Sequence, residues 1–312
     1  MRTFRSRLAG TASLILALVA IGGCGSSSSS SSATASATAI ATSAGSTGAV
    51  AADAAVAAQV PAAVKSRGTL TVAADASYAP NEFIGPDGHT VVGMDADLSK
   101  ELAAVMGLKA NVVNATFDTI IPGLASGKYD LGASSFTDTK AREKVVDFVD
   151  YFEAGTSFFT KSSGGTAITG LPDLCGKSVS VESGTTEETD AKAQSAKCKA
   201  QGKAAVNVLV YPTQSAANLA LSSGRAQISM ADSPVAAYQV KQSNGAFKLV
   251  GQTYGTAPYG LAIPKSLGIT KAVRTGVLAL IKDGTYASIL AKWGVESGAI
   301  PASQVKINGA AS

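Results

Sequence analysis

The pattern of apolar and polar residues from Gly68 onwards predicts short strands that alternate with helices. A run of apolar and β-branched residues predicts a buried strand that ends at Ala74, and turn residues follow it. Apolar side chains then recur at helical spacing from Asp97 until Gly107 stops the helix. The successive elements cover residues 68–74, 97–106, 112–113, 118–125 and 129–133. This β-α-β-α-β order predicts a mainly parallel sheet with covering helices.

A helix end, a Ser-Gly-basic stop and a strand occur together twice in the chain. They are found at Leu124–Ala133 and again, 97 residues later, at Leu221–Met230. The strand and loop at 177–186 likewise parallel those at 70–78. We interpret this repetition as two α/β lobes of the same construction, one after the other. A single continuous doubly wound sheet is the alternative interpretation.

The last part of the chain is predicted to return to the first lobe. Tyr259–Ile263 reads as another strand, and two helices follow at 273–282 and 285–293. Two strands near 153–158 and 252–258 then cross between the lobes. The predicted fold class is therefore α/β, with two lobes joined by two crossing strands.

The expected position of a binding site follows from this fold. Ligands of open α/β sheets bind beyond the carboxyl ends of the strands, and two lobes that face each other through those ends form a cleft. The loops at this edge are 75–78, 134–137, 184–186 and 231–233. The sequence therefore predicts a site made from four loops, two from each lobe.

These loops and their neighbours offer donors for an anion and an acceptor for a cation. Gly184–Glu188 has capping-box spacing at the start of a helix, where free N–H groups bind anions. The planar guanidinium of Arg142 matches a carboxylate, and Asp232, after the 226–230 strand, can accept an ammonium group. Each group also has a simpler interpretation. The segment at 184–188 could be an ordinary helix cap, Arg142 a solvated charge on a helix, and Asp232 a cap on the helix that starts at Pro234. Together the groups suit the zwitterion of an α-amino acid.

The first 23 residues have the pattern of a secretory signal peptide. Three arginines precede an apolar stretch of about 14 residues at Leu8–Ile21, whereas a membrane span needs about 20. The stretch ends in Ile-Gly-Gly before Cys24, which resembles the bacterial lipobox, whose cysteine carries a lipid anchor. Residues 24–64 are rich in Ser, Ala and Thr, and we predict that they form a flexible tether.

Charge and histidine content exclude two classes of function. The formal charge is +4, from 26 Lys+Arg and 22 Asp+Glu, and without the signal peptide 23 basic residues remain against 22 acidic ones. A chain so close to neutral has no general electrostatic attraction to nucleic acid. The single histidine, His89, excludes the usual sites with two or three histidine ligands, and no metal or other cofactor is expected.

Two cysteines remain if Cys24 is lipidated, and both then lie in an oxidising compartment. We predict that Cys175 and Cys198 form a disulfide, because paired cysteines of exported proteins are usually bonded. Two unpaired, buried thiols are the alternative.

Five short motifs resemble those of a known family. They are Val92–Leu98, Ile121–Asp130, Thr139–Arg142, Gly184–Thr186 and Asp283–Tyr286. In their order and spacing, residues 69–293 resemble the family 3 extracellular solute-binding proteins, the polar-amino-acid receptors of ABC importers. The lipobox and the tether fit an anchored receptor of this kind.

The resemblance implies specific contacts with the two charged ends of an L-amino acid. Arg142 would bind the α-carboxylate, helped by backbone N–H groups at Thr137 and Thr186. Asp232 would receive the α-ammonium group, with the Ser135 carbonyl and the Thr137 hydroxyl as further acceptors. These roles agree with the interpretation of the loops given above.

The resemblance also implies contacts with the ligand side chain. It would lie between Tyr78 and Phe117, and Asp75 stands where relatives with basic or amide ligands place an acceptor. Thr185 completes the predicted ligand-binding residues. No catalytic residue is expected.

The domain organisation and the function are implied in the same way. The expected parts are the signal peptide at 1–23, the tether at 24–64, the first lobe at 65–155, the second lobe at 156–254, the return to the first lobe at 255–308, and a tail at 309–312. We expect a monomeric, extracytoplasmic lipoprotein on the outer face of a bacterial cell membrane. It would bind a polar L-amino acid, basic or amide rather than acidic, and deliver it to ABC permease subunits.

Two other functions fit the same scaffold. Some relatives resemble cyclohexadienyl dehydratases, which need a general acid in the cleft, and Glu182, Glu187 and Asp75 are the candidates here. A sensory receptor that signals to a membrane partner without transport is the other alternative.

Overall fold

The computed structural model describes residues 51–310, in which strands and helices alternate. The helices are α1 (Ala54–Ala58), α2 (Ala62–Arg67), α3 (Met94–Val105), α4 (Phe117–Ala125), α5 (Thr186–Ala200), α6 (Gln214–Ser222), α7 (Ser233–Gln242), α8 (Thr270–Asp283) and α9 (Thr285–Trp293). The strands are β1 (Thr69–Ala74), β2 (Ser77–Tyr78), β3 (Glu82–Ile84), β4 (Val91–Val92), β5 (Lys109–Asn114), β6 (Leu131–Gly132), β7 (Val146–Lys161), β8 (Ser178–Glu182), β9 (Asn207–Tyr211), β10 (Ile228–Asp232) and β11 (Phe247–Pro264).

Eight of these strands form a mixed sheet in the order β5-β1-β6-β11-β7-β10-β8-β9. β1 pairs in parallel with β5 and β6, and β8 pairs in parallel with β9 and β10. The long strands β7 and β11 lie antiparallel between the two groups and take part in both. We call the β5-β1-β6 side the first lobe and the β10-β8-β9 side the second lobe. The predicted α/β fold with two crossing strands is confirmed.

The pairing of β7 with β11 is irregular where the two strands pass between the lobes. Register shifts occur between Val250 and Tyr254 and between Tyr254 and Ala257. This interruption overlaps the crossing segment predicted at 252–258. The sheet is therefore hydrogen-bonded throughout, but its two parallel groups are separated by an irregular antiparallel pair, unlike a single doubly wound sheet.

The repeated Ser-Gly-basic sequence ends equivalent helices in the two lobes. Gly127 follows α4 with a φ of 76°, and Gly224 follows α6 with a φ of 81°. This left-handed conformation favours glycine, because a Cβ atom would approach the neighbouring carbonyl. The chain then enters the buried strands β6 and β10. Both strands consequently deliver their next residues to the space between the lobes.

The second lobe contains the predicted disulfide. Cys175, shortly before β8, is bonded to Cys198 in α5, and their Cα atoms are 5.6 Å apart. The bond lies beside the core of this lobe, which includes Val179 and Ile228. In the chain-entropy model, closing a loop of this size contributes roughly 3 kcal/mol to stability. The predicted pairing is confirmed, and the alternative of two free thiols is wrong.

The start of the described chain differs from the predicted tether. Val56, Val60 and Val64 are 1–3% exposed and join the core of the first lobe, although residues up to 64 were predicted to be flexible. Val56 lies in α1, Val64 in α2 and Val60 in the turn between them, and the surrounding alanines conceal this spacing of four residues. The Asp53 carboxylate caps α1 by accepting from the Ala55 and Val56 N–H groups. The predicted tether is therefore wrong from about residue 53 onwards.

The remaining N-terminal predictions lie outside the described residues. They are the signal peptide at 1–23, the lipid attachment at Cys24 and the tether between residues 24 and 50. Within residues 51–310, none of the helices has both the length and the apolar character needed to span a membrane.

The end of the described chain packs against the first lobe. The Asn308 N–H donates to the Phe148 carbonyl over 3.0 Å, and the Phe148 N–H donates to Asn308 Oδ1 over 2.8 Å. The Ala310 N–H donates to Asp138 Oδ2 over 3.1 Å. The first two residues of the predicted tail therefore lie against this lobe.

Candidate functional site

The predicted site residues come together in one cavity between the lobes. All nine line it, namely Asp75, Tyr78, Phe117, Ser135, Thr137, Arg142, Thr185, Thr186 and Asp232. Four further residues line the same cavity, namely Glu82, Ser134, Glu182 and Glu187. The free space that these side chains enclose is about 10 Å³, room for roughly one water molecule, so the two lobes are nearly closed on each other.

The strand ends explain why residues so distant in sequence meet here. Asp75 follows β1 directly, and Glu182 and Asp232 are the last residues of β8 and β10. Parallel strands end at the same edge of a sheet, and the first and second lobes present these edges to each other. The loop after β6 adds Ser134–Thr137, and the start of α5 adds Thr186.

Arg142 connects the two lobes. Its Nη1 donates to the Thr137 carbonyl over 2.8 Å, and its Nη2 donates to the Gly184 carbonyl in the second lobe over 2.9 Å. The guanidinium carbon lies 5.3 Å from the centre of the Phe117 ring and 5.4 Å from that of Phe136. Arginine has five N–H donors, so the same group can also bind a carboxylate.

The environment of Arg142 favours a fixed, charged guanidinium. Burial lowers the pKa of Arg142 from its usual value, while the nearby Glu187 and Asp232 carboxylates act in the opposite direction. Phe117 and Phe136 stack at 4.5 Å between ring centres and hold one face of the group. An arginine stays protonated under these conditions. The cavity therefore has a positive charge at a defined position.

Asp232 is held by a tyrosine from the opposite lobe. The Tyr78 hydroxyl donates to Asp232 Oδ2 over 3.0 Å and accepts from the Asp232 N–H over the same distance. Burial, followed by the charge of Glu187, raises the pKa of Asp232 well above its usual value. Glu187 itself accepts from the Thr156 hydroxyl over 2.6 Å and from the Thr186 hydroxyl over 3.1 Å. This part of the site attracts a cation.

Three more carboxyl groups lie at the other end of the cavity. Asp75 accepts from the Ser77 N–H over 3.1 Å and from the Phe117 N–H over 2.9 Å. Glu82 accepts from the Ser134 hydroxyl over 3.1 Å. Glu182 is 2% exposed, and its Oε1 has no hydrogen-bond partner among the described residues.

Burial affects the protonation of all three groups. It is the largest cause that raises the pKa of Asp75, and it raises those of Glu82 and Glu182 well above their usual values. Neighbouring carboxyl groups act in the same direction on both glutamates, Asp95 on Glu82 and Asp75 on Glu182. A positive charge placed among these carboxyls would be strongly favoured.

Ser135 is held in an unusual conformation behind this end of the cavity. Its φ of 51° lies in the left-handed region, which costs a non-glycine residue roughly 1–2 kcal/mol. The Ser135 N–H donates to Asp95 Oδ2 over 2.7 Å, and its hydroxyl donates to Glu82 Oε2 over 3.2 Å and accepts from Asn81 Nδ2 over 2.9 Å. Tyr151 donates to the other oxygen of Asp95 over 2.6 Å. Buried hydrogen bonds therefore offset the backbone strain.

The cap predicted at Gly184–Glu188 is present in a modified form, in which Glu188 accepts from the N–H of Gly184 and not from that of the N-cap Thr185. The Glu188 N–H donates to the Thr185 hydroxyl over 3.2 Å, and the Gly184 N–H donates to Glu188 Oε2 over 2.7 Å. The Thr185 hydroxyl also donates to the Glu182 carbonyl over 2.8 Å. The hydroxyl of Thr185 thus serves as an ordinary cap, as the simpler interpretation proposed, while its position still places it in the cavity wall.

The ligand-binding set from the sequence lacked four cavity residues. The sequence offers Glu182 and Glu187 only as candidate acids for an enzyme. Ligands bind beyond the carboxyl ends of strands, and Glu182 is the last residue of β8, so the predicted binding loop at 184–186 begins just after it. Ser134 is the first residue of a predicted loop but had no assigned role. Glu82 is the first residue of the short strand β3, and no local signal distinguishes it. Its position depends on tertiary pairing.

The residues described give no sign of a metal centre. Between residues 51 and 310, no cluster of three or more His, Cys, Asp or Glu side chains has a geometry that could hold a metal ion. His89, the single histidine, lies in an exposed turn and forms hydrogen bonds with Asp87.

Known proteins share both the sequence and the fold. The arginine-binding protein ArgT of Corynebacterium glutamicum is 38% identical over 244 residues, which are 78% of this chain and 80% of that protein. The ABC transporter glutamine-binding protein GlnH of Bacillus subtilis is 29% identical over 67% of this chain and 74% of that protein. An ancestral arginine-binding protein, in a structure with bound arginine, is 38% identical and superimposes with a TM-score of 0.67. The match covers 73% of this chain and 98% of that one.

The family model of bacterial extracellular solute-binding proteins, family 3, matches residues 70–296. This match covers more than two thirds of the chain and nearly coincides with the segment whose motifs carried the resemblance. The relatives named above are binding proteins for amino acids. The chain therefore belongs to the bacterial extracellular solute-binding proteins of family 3.

Proposed function

We propose that this protein is the substrate-binding receptor of an ABC importer for an L-amino acid with a cationic side chain, such as arginine. The observation that carries the proposal is the charge of the cavity. One guanidinium lies among five carboxyl groups, those of Asp75, Glu82, Glu182, Glu187 and Asp232. A ligand with two positive groups and one negative group complements this arrangement.

The two charged ends of the amino-acid backbone fit opposite walls of the cavity. We assign the α-carboxylate to Arg142 and to the N–H groups of Thr137 and Thr186. The α-ammonium is assigned to Asp232, with the Ser135 carbonyl and the Thr137 hydroxyl as further acceptors. Support comes from the position of all these residues around one cavity and from the defined orientation of the guanidinium.

The ligand side chain is assigned to the remaining space. Its apolar part would lie between Tyr78 and Phe117, and its cationic end would reach Asp75. The sequence favoured basic or amide ligands, and the additional glutamates now favour the basic ones. The names of the relatives agree, because ArgT and the ancestral protein are arginine-binding proteins.

Function would depend on closure of the two lobes. Direct hydrogen bonds already join them at four places, between Tyr78 and Asp232, Arg142 and Gly184, Asp118 and Ser183, and Ser77 and Gln214. A ligand that contacts both lobes shifts the equilibrium towards the closed form by its differential affinity for that form. The closed form would be recognised by the permease, and Cys24 would carry the lipid anchor that keeps the receptor at the membrane.

A thermal-shift screen of the purified protein against the common L-amino acids tests this function. Arginine, lysine and ornithine should raise the melting temperature most, glutamine less, and glutamate not at all. Stabilisation by acidic amino acids alone, or by none, would contradict the proposal. Turnover of prephenate or arogenate would instead establish the dehydratase alternative, because binding alone consumes no substrate.

Neighbouring genes distinguish transport from sensing. A permease and an ATPase beside this gene support an importer, whereas a kinase would support a sensory receptor. Deletion of the gene should then reduce uptake of labelled arginine by whole cells, and unchanged uptake would contradict a transport role.

A further inference from the structure

Two carboxyl groups from opposite lobes meet at one end of the cavity. Asp75 follows β1 in the first lobe, and Glu182 ends β8 in the second lobe. Both line the same cavity, and each acts on the other: Asp75 raises the pKa of Glu182, and Glu182 lowers that of Asp75. Both residues are nearly inaccessible to solvent, with 3% and 2% exposure. Closure of the lobes therefore places two interacting acids on the walls of one cavity that is nearly inaccessible to solvent.

Further acids and a phenol lie around this pair. Glu187 acts on Glu182 from α5, Glu82 lies near Asp75 from β3, and the phenol of Tyr78 faces the same space. Glu182 Oε1 has no hydrogen-bond partner among the described residues. Two backbone N–H groups, those of Ser77 and Phe117, donate to Asp75, whereas the one that lowers the pKa of Glu182 is that of Gln214. Glu182 is thus the less satisfied member of the pair.

The cation that lines the cavity is used elsewhere. Arg142 donates to the carbonyls of Thr137 and Gly184 and lies over Phe117 and Phe136. It lines the same cavity as the pair; burial lowers its pKa, and the charges that oppose this effect most are those of Glu187 and Asp232. Two facing carboxylates without a counter-charge repel each other strongly at low dielectric. One positive charge between them removes this repulsion.

We propose that Glu182 is a specificity-determining residue that acts with Asp75, and that the cationic end of the ligand side chain replaces a proton shared by this pair. This inference rests on the proposed function and extends it to a residue without an assigned role. When a cationic side chain enters between the carboxyl groups, the shared proton leaves to solvent. The two carboxylates carry a net charge of −1 with the proton and the same net charge with the cationic group in its place. A neutral side chain leaves the proton in place.

The replacement makes arginine affinity depend on pH. Burial raises the pKa of both acids, so the pair retains its proton at a pH where exposed acids have lost theirs. Release of one proton on binding means that affinity increases as the pH rises, by up to about tenfold per pH unit while the pair is protonated. Citrulline has the shape of arginine but no side-chain charge, so its affinity should stay nearly constant over the same range.

Calorimetry measures the proton directly. Binding of L-arginine and L-citrulline to the purified protein is recorded between about pH 6 and pH 8, at each pH in two buffers of different ionisation enthalpy. The buffer dependence gives the number of protons released. We expect release approaching one proton for arginine at the lower pH and almost none for citrulline.

Glu182→Gln tests the residue without changing its size. This substitution should weaken the binding of arginine by about tenfold or more and leave the affinity for citrulline within a few-fold of that of the unaltered protein. It should also reduce the number of protons released when arginine binds. Glu296→Gln is the matched control, because Glu296 is exposed and lies outside the cavity wall. It should change neither affinity nor proton release.

The outcomes separate this inference from the proposed function. Arginine binding without proton release, together with an unchanged ratio of arginine to citrulline affinity in Glu182→Gln, would overturn the role of Glu182 and leave the receptor function intact. Failure of every amino acid to bind would overturn the function itself. The proton count in the unaltered protein decides the question even if the variant does not fold.

Discussion

The two ends of the cavity bind charge in opposite ways. At the guanidinium end, around Arg142 and Thr137, the positive charge donates to two backbone carbonyls and lies near the rings of Phe117 and Phe136. At the carboxyl end, formed by Asp75, Glu82 and Glu182, the acids face one another. Neutral groups keep a charge in place without cancelling it, whereas facing acids need a positive charge from outside the protein.

This difference suggests a division of roles. The guanidinium end would bind the α-carboxylate, which every amino acid has, and so would contribute to the affinity for all of them. The carboxyl end addresses the side chain and so distinguishes one amino acid from another. Substitutions at the two ends should therefore differ in which ligands they affect, and the following predictions are ordered by the size of their effect.

Replacing Arg142 should have the largest effect. Arg142→Ala leaves a desolvated carboxylate without its partner and should weaken binding of arginine and citrulline alike, by about 2–5 kcal/mol. Titration calorimetry with both ligands measures the loss. Lys144→Ala, an exposed neighbour in the same turn, is the control and should bind normally. Undiminished binding by Arg142→Ala would refute the contact with the carboxylate.

Replacing Asp75 should affect one ligand and spare the other. Asp75→Asn removes a charged acceptor at the carboxyl end, so arginine should lose about 1.5–3 kcal/mol of binding free energy and citrulline much less. Titration calorimetry with arginine and citrulline measures both losses, and Asp283→Asn, at an exposed position, is the control. An equal loss for both ligands would mean that the two ends do not have separate roles.

Replacing Phe117 should have a smaller and general effect. Phe117→Leu keeps an apolar side chain but removes the ring beside the Arg142 guanidinium and its stacking on Phe136. The expected loss is about 1 kcal/mol for arginine and citrulline alike. A loss confined to arginine would place Phe117 at the carboxyl end instead.

The smallest effect concerns a pair of acids outside the cavity wall. Burial, followed by the charge of Glu143, raises the pKa of Asp138 to about 6. Burial, followed by the charge of Asp138, raises the pKa of Asp150 to about 8, and Lys306 acts in the opposite direction. Acids with a raised pKa in the folded state bind protons more tightly there than in the unfolded chain. Their contribution to the free energy of unfolding is therefore complete at acidic pH, and it is lost as the pH rises through about 6 for Asp138 and about 8 for Asp150.

Thermal unfolding at a series of pH values tests this sign. The melting temperature should fall by a few degrees from weakly acidic to weakly alkaline pH, and Asp150→Asn should remove the upper part of the fall. Saturating arginine should leave that part unchanged, because these acids do not line the cavity. A melting temperature that rises with pH would show that carboxyl groups with lowered pKa values dominate instead.

Much of the site could be predicted because it depends on strand ends. A strand that ends at Ala74 places Asp75 at the edge of the sheet whatever the details of packing, and the same holds for Asp232 after Met230. The helix α9 was likewise predicted with its observed bounds, since Gly284 and Gly294 adopt left-handed conformations at its ends. Local rules suffice where a single residue decides the geometry.

Other features depend on contacts that the sequence does not display. The small sheet of β2, β3 and β4 has strands of two or three residues, too short for a periodic pattern, and its second strand brings Glu82 to the cavity. The valines of α1 and α2 lie in an alanine-rich segment whose composition indicates flexibility, and packing against the first lobe outweighs that tendency. Both features arise from tertiary structure.

The direct hydrogen bonds that join the lobes at four places also affect the receptor when no ligand is bound. They belong to the protein alone, so part of the free energy of closure is independent of any amino acid. A partner that recognises closed receptors would then encounter some empty ones, in a proportion set by these bonds. Weakening these bonds one at a time should lower the fraction of ligand-free receptors that are closed. It should also reduce the apparent affinity for the ligand, because the closed form that holds the ligand becomes less populated.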